Sequence, residues 1–148
     1  MFESININSS VAVYVQIENL VQFAIASGKL KAGDQLPSVR ELSERLNLNP
    51  NTVAKSYRDL EVMGLVYTRR GMGVYINKGV EAKCRETCHH RIIERLHEVV
   101  SEAKSSGFTL KEVKSAVEKG YASDAGPYAS TPDPLFDLAK SKMRPRRP

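Results

Sequence analysis

Apolar residues recur at helical spacing on both sides of a short break at residues 47–49, which predicts two helices joined by a tight turn. The apolar positions are Val39, Leu42 and Leu46 before the break and Val53, Tyr57 and Leu60 after it. Ser38 and Glu41 have the spacing of a capping box at the start of the first helix. Asn49 suits the N-cap of the second helix and Pro50 its first position, where no amide hydrogen is needed.

Another helix is predicted before this pair. Apolar residues keep the helical period from residue 13 to residue 25, and Gly28 ends the run. Ser9 or Ser10 can cap this helix. The connector at residues 30–36 is rich in turn-forming residues and leaves room for one or two residues of strand.

A β-hairpin is predicted after the pair. Residues 65–69 and 74–76 favour strands, and the sequence RGMG at residues 70–73 forms a short loop between them. Helix, helix, helix and hairpin in this order is the plan of a winged helix. Arginines beside glycines at the hairpin tip can reach phosphates or a narrow minor groove, because glycine permits close backbone approach. A merely solvated hairpin is the alternative.

The second helix of the pair has a polar face opposite its apolar stripe. This face carries Asn51, Lys55, Arg58 and Asp59, flanked by Thr52 and Ser56. A donor-rich second helix fits a helix-turn-helix whose second member enters the major groove of DNA. The alternative is an ordinary helical hairpin with a solvated outer face.

Individual side chains allow sharper hypotheses. Arg40 can reach a guanine edge or a phosphate, or it can pair with Glu44 one turn away. Asn51 and Thr52 can contact base edges or phosphates, or they can serve only to cap the first turn. Lys55 suits a phosphate contact, because its point charge lacks the fork that specifies a base.

Charge argues for particular cations rather than for the chain as a whole. The 148 residues carry a formal net charge of +5, with 22 basic and 17 acidic residues. Five of the basic residues lie at 140–148, and without them the basic residues equal the acidic ones in number. A DNA-binding argument therefore depends on where individual cations lie.

Three features of the sequence bear on the cellular compartment in which the protein is expected. No apolar run approaches the length of a membrane span, and no Lys or Arg precedes Lys29, so neither a membrane segment nor a secretory signal is expected. The two cysteines do not form a disulfide framework, and a reducing cytoplasm is the expected location.

Cysteine and histidine residues form one candidate metal cluster. Its members are Cys84, Cys88, His89, His90 and His97. A single straight helix cannot bring three or four ligands to one zinc ion, so the favoured interpretation is small buried residues at a dimer seam. A metal- or redox-responsive site shared across a dimer is the alternative. No motif activates a nucleophile, so catalysis and a catalytic cofactor are not expected.

Two further helices are predicted after the hairpin. The apolar stripe of the first, at residues 80–104, is Ala82, Cys84, Cys88, Ile92, Leu96, Val99, Val100 and Ala103. Thr109 can cap the second, which is expected to end at Gly120. Two helices cannot enclose a pocket for an organic effector, so the stripe is expected to pair with its counterpart in a second subunit.

Residues 11–77 resemble the N-terminal winged-helix domain of the GntR family of bacterial transcription regulators. The residues that carry the resemblance are Tyr14–Ile17, Gly28–Leu30, Gly33–Leu42, Asn49–Val53, Tyr57–Glu61, Gly64–Leu65 and Arg69–Gly73. Carried over by position, the DNA contacts of the family fall on Ser38, Arg40, Asn51, Thr52, Arg70 and Gly71. Lys55, Arg58 and Arg69 complete the candidate DNA-binding set. Pro50 stands where many relatives have arginine, so one base contact usual in the family is missing.

The sequence NPNTV at residues 49–53 is similar to the YtrA-like branch of this family. The resemblance implies a short helical tail for dimerisation, an inverted-repeat operator in double-stranded DNA, repression and, in many members, an association with transporter genes. It implies no cofactor and leaves the effector unassigned.

The expected fold is mainly α with a small β-hairpin, a winged helix-turn-helix followed by a short two-helix dimerisation segment. We expect the winged-helix domain at residues 1–77, the dimerisation segment at 78–120, and a flexible basic tail at 121–148. A winged-helix protein-interaction module without DNA binding is a further alternative.

Overall fold

The computed structural model describes residues 5–123, which form five helices and one two-stranded antiparallel sheet. The elements are α1 (Val13–Ala26), α2 (Val39–Leu46), α3 (Pro50–Val62), β1 (Val66–Arg69), β2 (Gly73–Ile76), α4 (Glu81–Ser105) and α5 (Leu110–Ala122). The chain divides into two compact units, one of which reaches Arg85 while the other begins at Glu86. The predicted order of three helices and a hairpin is confirmed.

Local hydrogen bonds fix the ends of α2 and α3. The Ser38 hydroxyl accepts from the Glu41 amide at 3.2 Å, and the Ser38 amide donates to the Glu41 carboxylate at 2.7 Å. Asn47, at φ +51°, ends α2 in the left-handed region. The Asn49 side chain then accepts from the amide of Asn51 at 2.9 Å and caps α3. The predicted capping box and N-cap are therefore confirmed.

The segment before α1 differs from the prediction. Neither Ser9 nor Ser10 caps the helix, which begins after Ala12 without a side-chain cap. Instead, the Gln16 amide group pairs with the backbone of Asn6 at 2.8 and 2.9 Å, and it also donates to the carbonyl of Val11 at 2.8 Å. Gln16 thus ties the segment before α1 to the helix, while the first turn of α1 remains without a side-chain cap.

The core of the first unit is built from the inner faces of its helices and the base of the hairpin. Fully or almost fully buried apolar side chains include Ile17, Val21, Ile25, Leu30, Leu36, Leu42, Val53, Leu60, Val66 and Ile76. Each such burial contributes about 1.5–3 kcal/mol to stability. Ser56, expected to flank the polar face of α3, is also buried, and its hydroxyl donates to the carbonyl of Val53 at 2.7 Å.

The connector before α2 adds a third, short stretch of extended chain beside the hairpin. Gln35 forms an antiparallel bridge with Tyr75, as the sequence predicts for one or two residues of this segment. The Leu36 amide donates to the Val74 carbonyl at 2.8 Å, and the Ile76 amide donates to the Asp34 carbonyl at 2.9 Å. The sheet register pairs Val66 with Ile76 and Arg69 with Gly73, leaving residues 70–72 as the loop.

The second unit contains most of α4 and all of α5. Thr109 caps α5 through a capping box with Glu112, as predicted in part from Thr109 alone. The expected end at Gly120 is wrong, because the helix continues to Ala122 and this glycine keeps helical geometry. Within residues 5–123, no helix has the length and apolarity needed to cross a membrane. The predicted basic tail lies outside the described residues from residue 124 onward.

Tyr57 ties the inner face of α3 to the start of α2. Its buried hydroxyl donates to the Pro37 carbonyl at 2.8 Å, which confirms the assignment of Tyr57 to the core. Burial raises the pKa of this phenol above its ordinary value, so it remains a hydrogen-bond donor.

Glu18 is a buried acid of α1 that faces α3. Its side chain is 6% exposed, and its carboxyl group lies beside that of Asp59. Burial and the hydrogen bond with Asp59 raise the pKa of Glu18 to about 7, although Lys55 acts in the opposite direction. The Lys55 ammonium lies 2.9 Å from the Asp59 carboxylate and lowers the pKa of Asp59. The pair therefore holds a proton on Glu18 and a negative charge on Asp59.

Replacing Tyr57 with Phe is expected to destabilise the protein. The Pro37 carbonyl would lose its buried donor, which costs about 1–3 kcal/mol. Urea unfolding followed by circular dichroism measures the change. Tyr121→Phe, at an exposed tyrosine, is the matched control and should shift stability by less than about 0.5 kcal/mol. Equal stability of both variants and the native chain would contradict the assignment.

Glu18→Gln is expected to change how stability depends on pH. Folded Glu18 holds its proton up to about pH 7, whereas the unfolded group releases it near 4.5, so the native chain loses stability as pH rises between these values. The contribution of Asp59, whose pKa is lowered, is lost only at lower pH. Relative to the native chain, the variant should therefore gain stability from about pH 5 to about pH 8.

Urea unfolding at both pH values measures this difference. Glu86→Gln, at an exposed carboxylate of α4, serves as the control and should follow the native pH profile. Parallel profiles for Glu18→Gln and the native chain would show that Glu18 is already charged across this range.

Candidate nucleic-acid interface

Four predicted contact residues lie in the first turns of α2 and α3. Ser38 caps α2, and Arg40 is the exposed second residue of that helix. Asn51 is exposed and Thr52 half-buried at the start of α3. The side chain of Asn49 caps α3. The side chains of Asn51 and Thr52 are therefore not required as caps, which is the alternative role that the sequence allows for them. The amides of Asn51 and Thr52 both donate to Asn49, so the attraction of this helix start for an anion such as phosphate comes from the helix dipole.

Arg40 takes part in the intrahelical ion pair that the sequence offered as its alternative role. Its Nε donates to Oε1 of Glu44 at 2.8 Å, and the two side chains are 87% and 66% exposed. A pair this exposed on one helix is screened by solvent and contributes little to stability. A bidentate contact with a guanine is worth about 1–3 kcal/mol, so the pair does not compete strongly with DNA.

Lys55 is held more firmly than the other candidates. Its ammonium pairs with Asp59 at 2.9 Å and lies 4.4 Å from the centroid of the Tyr14 ring. These two partners hold the ammonium near α1 and therefore limit how freely it can turn to a phosphate. Arg58, on the same helix, is exposed and lowers the pKa of Asp59 by its charge.

The hairpin, which we call the wing, presents three further candidates. Arg70 and Gly71 are exposed in the loop, and Gly71 has φ +74°, a conformation that favours glycine. The guanidinium of Arg69 lies 5.9 Å from the centroid of the Tyr75 ring. Arg69 thus covers the wing face, while Arg70 is at its tip.

Two residues that no local pattern singles out also shape the wing. Gln35 donates from its side-chain amide to the Met72 carbonyl at 2.8 Å, and Tyr75 stacks on Tyr67 with 5.7 Å between ring centroids. The only sequence signal for this arrangement is the second glycine of the loop, Gly73. An added Cβ at that position would collide with the Gln35 side chain.

The cysteine and histidine candidates separate into buried and exposed groups. Cys84 and Cys88 are buried, whereas His89 and His90 are exposed and His90 lies 3.1 Å from Glu94. Burial raises the pKa of Cys88, which disfavours the thiolate that metals bind. Within residues 5–123, no three His, Cys, Asp or Glu side chains converge on one point. The structure thus favours small packing residues over ligands.

Comparison with known proteins identifies the family. The profile of bacterial regulatory proteins of the gntR family matches residues 13–76. The transcriptional repressor YtrA of Bacillus subtilis is 36% identical over 123 residues, which cover 78% of this chain and 95% of YtrA. The transcriptional regulator YhcF of the same organism is 31% identical over 112 residues, covering 74% and 90% of the two chains.

Solved structures agree with this result. A GntR family transcriptional regulator from Listeria monocytogenes matches with a TM-score of 0.59 and 33% identity, covering 76% of this chain and 97% of that one. A transcriptional regulator from Oenococcus oeni matches with a TM-score of 0.58 and 32% identity, covering 79% and 97%. The protein is therefore a transcription regulator of the GntR family, with YtrA among its relatives, and its winged helix-turn-helix is a DNA-binding domain rather than part of an enzyme.

Proposed function

We propose that this regulator is a sequence-specific repressor that binds an inverted-repeat operator as a homodimer. Each subunit inserts α3 into a major groove and lays the wing against the adjacent minor groove. The observation that carries the proposal is the exposed first turn of α3, where Asn51 follows a cap already supplied by Asn49.

Asn51 and Thr52 are the proposed readers of base edges. An asparagine amide can donate to and accept from adenine in the major groove, and a threonine can contact either a base or a phosphate. Their backbone amides belong to the positive end of α3, which favours a nearby phosphate. Ser38, at the corresponding end of α2, is proposed to contact the DNA backbone.

Arg40 is the proposed bidentate or phosphate contact beside α3. Its side chain is almost fully exposed, and its present partner Glu44 is on the same exposed helix surface. Replacing the contact with Glu44 by a contact with DNA therefore costs Arg40 little free energy. Arg58 and Lys55 are proposed as phosphate contacts, with Lys55 the weaker because Asp59 and Tyr14 already hold its ammonium.

The wing supplies a second contact region. Arg70 can enter a narrow minor groove, where the negative potential attracts an arginine side chain. Gly71 allows the backbone to approach the DNA closely because it carries no side chain. Arg69 is proposed to reach the neighbouring phosphate.

The apolar surface of α4 supports the homodimer. Five large apolar side chains of this 25-residue helix are exposed, namely Ile92, Ile93, Leu96, Val99 and Val100. A surface of this kind is typical of an interaction site, and a second copy of the chain offers the same surface. Two-fold symmetry then requires half-sites in opposite orientation, spaced by about 10 bp or a multiple of it.

Repression is proposed because the relative YtrA bears that name. Occupancy of the operator would exclude polymerase from the promoter. The cytoplasm is the proposed location, because the operator is part of the chromosome. Control of transporter genes is proposed from the resemblance to the YtrA-like branch.

Selection of bound duplexes from a random pool should recover a palindrome, which can be located upstream of the target genes. Arg40→Ala is then expected to weaken binding to that duplex by about 1–3 kcal/mol, with unchanged unfolding. Glu44→Ala should bind at least as tightly as the native chain, because Arg40 loses its competing partner. Arg85→Ala, an exposed arginine of α4, is the control and should leave affinity unchanged.

Fluorescence anisotropy at fixed salt measures these affinities. Native affinity in Arg40→Ala would contradict the assigned contact. A chain that prefers no duplex sequence, but forms a stable complex with another protein, would instead be an interaction module.

Leu96→Glu is expected to weaken the dimer by at least tenfold, or about 1.4 kcal/mol, because it buries charge in the proposed seam. Sedimentation velocity measures the shift toward monomer, and operator affinity should fall with it. Val62→Glu, at a valine of α3 that is 88% exposed, is the control for the sedimentation measurement alone, since α3 is itself proposed to contact DNA. A dimer that survives Leu96→Glu unchanged would exclude this face of α4 as the seam.

A further inference from the structure

Gln35 crosses the base of the wing loop from the connector before α2. Its side-chain Nε2 donates to the backbone carbonyl of Met72 at 2.8 Å, although the two residues are 37 positions apart. The Gln35 backbone bridges Tyr75, and hydrogen bonds on either side join Leu36 to Val74 and Asp34 to Ile76. The amide therefore projects from a backbone that is itself fixed to β2.

Gly73 makes room for this crossing. A Cβ at residue 73 would collide with the amide group of Gln35, and the φ of +125° is one that side chains rarely adopt. The space beside the last loop residue is thus occupied by a side chain from another segment. The glycine serves this fit, whereas Gly71 serves the turn itself.

The Met72 carbonyl is a shared anchor point. Besides the Gln35 amide, it accepts from the Tyr75 hydroxyl at 3.3 Å. The Met72 amide donates back to the Arg69 carbonyl at 2.9 Å and closes the loop. The Tyr75 ring in turn stacks on the Tyr67 ring and lies within 5.9 Å of the Arg69 guanidinium. The loop that carries Arg70 is therefore held at its C-terminal end by two donors.

We infer that Gln35 is a positioning residue for DNA binding, which fixes the wing loop through Met72 and so sets where Arg70 meets the minor groove. The inference rests on the proposed contact between Arg70 and DNA. A loop held before binding loses less conformational freedom when it binds, so the anchor raises affinity without touching the duplex.

Gln35→Met in the full chain tests this role, because methionine keeps the length of the side chain but cannot donate. We expect affinity for the selected palindromic duplex to fall by about three- to tenfold. Gln16→Met is the matched control, since Gln16 likewise donates from its amide to backbone carbonyls, but those of the segment before α1. It should leave affinity within about twofold of native.

A double-mutant cycle separates positioning from general destabilisation. In an Arg70→Ala background, Gln35→Met should have almost no further effect, because the contact it positions is gone. In an Arg40→Ala background its full effect should remain. Gly73→Ala displaces the Gln35 side chain and also strains the backbone, so it should lower affinity by at least as much as Gln35→Met, and this loss should also depend on Arg70.

The outcomes distinguish this inference from the proposed function. Native affinity in Gln35→Met, with weakened binding in Arg70→Ala, would overturn the positioning role alone. An equal loss from Gln35→Met with and without Arg70 would also overturn it, because the effect would be merely structural. Native affinity in Arg70→Ala would remove the wing contact itself, and the positioning role with it.

Discussion

The hydrogen bond from Tyr57 to Pro37 joins α3 to the start of α2, and these two helices carry most of the proposed DNA contacts. The phenol lies within the core, and its hydroxyl reaches the residue just before the cap of α2. Because one end of α2 and the middle of α3 are joined through this buried contact, their first turns cannot move independently. The exposed residues Arg40 and Asn51 therefore belong to one surface of fixed shape, although neither contributes to the core.

Two cations of this surface, Arg40 and Lys55, are each paired with a carboxylate of their own helix. Glu44 accompanies Arg40 in solvent, where the attraction is weak. Asp59 accompanies Lys55 beside the buried Glu18 and the Tyr14 ring, where the ammonium is more strongly held. Two i,i+4 pairs of the same type thus differ in how readily the cation can turn to a phosphate. For the proposed phosphate contacts, this local difference matters more than the net charge.

Local patterns in the sequence predict most of the first unit. The capping box at Ser38, the cap at Asn49 and the apolar period of α2 and α3 act within a few residues, so they can be recognised without the fold. The predicted cap of α1 is wrong because the Ser9 hydroxyl accepts from the amide of Val11, which lies before the helix, and Gln16 holds this segment through the backbone of Asn6. The polar side chain of Ser56 suggests an exposed position. Ser56 can be buried because its hydroxyl donates to a carbonyl of its own helix.

The candidate site likewise contains residues that local sequence patterns predict and residues that they do not. Residues in the first turns of α2 and α3 can be nominated from helix spacing and from family resemblance. Gln35 could not, because its role depends on a carbonyl 37 positions away and on space left by Gly73. Nor does sequence alone show that Lys55 is already engaged by Tyr14, a residue of another helix.

The fit between Gln35 and Gly73 couples two positions that lie far apart in the chain. A side chain at position 73 would strain the backbone, which has φ +125°, and would force the end of the Gln35 side chain to turn away. The Met72 carbonyl would then lose its donor from Gln35. A substitution at position 73 therefore alters the wing through a residue of the connector before α2, while α3 stays the same.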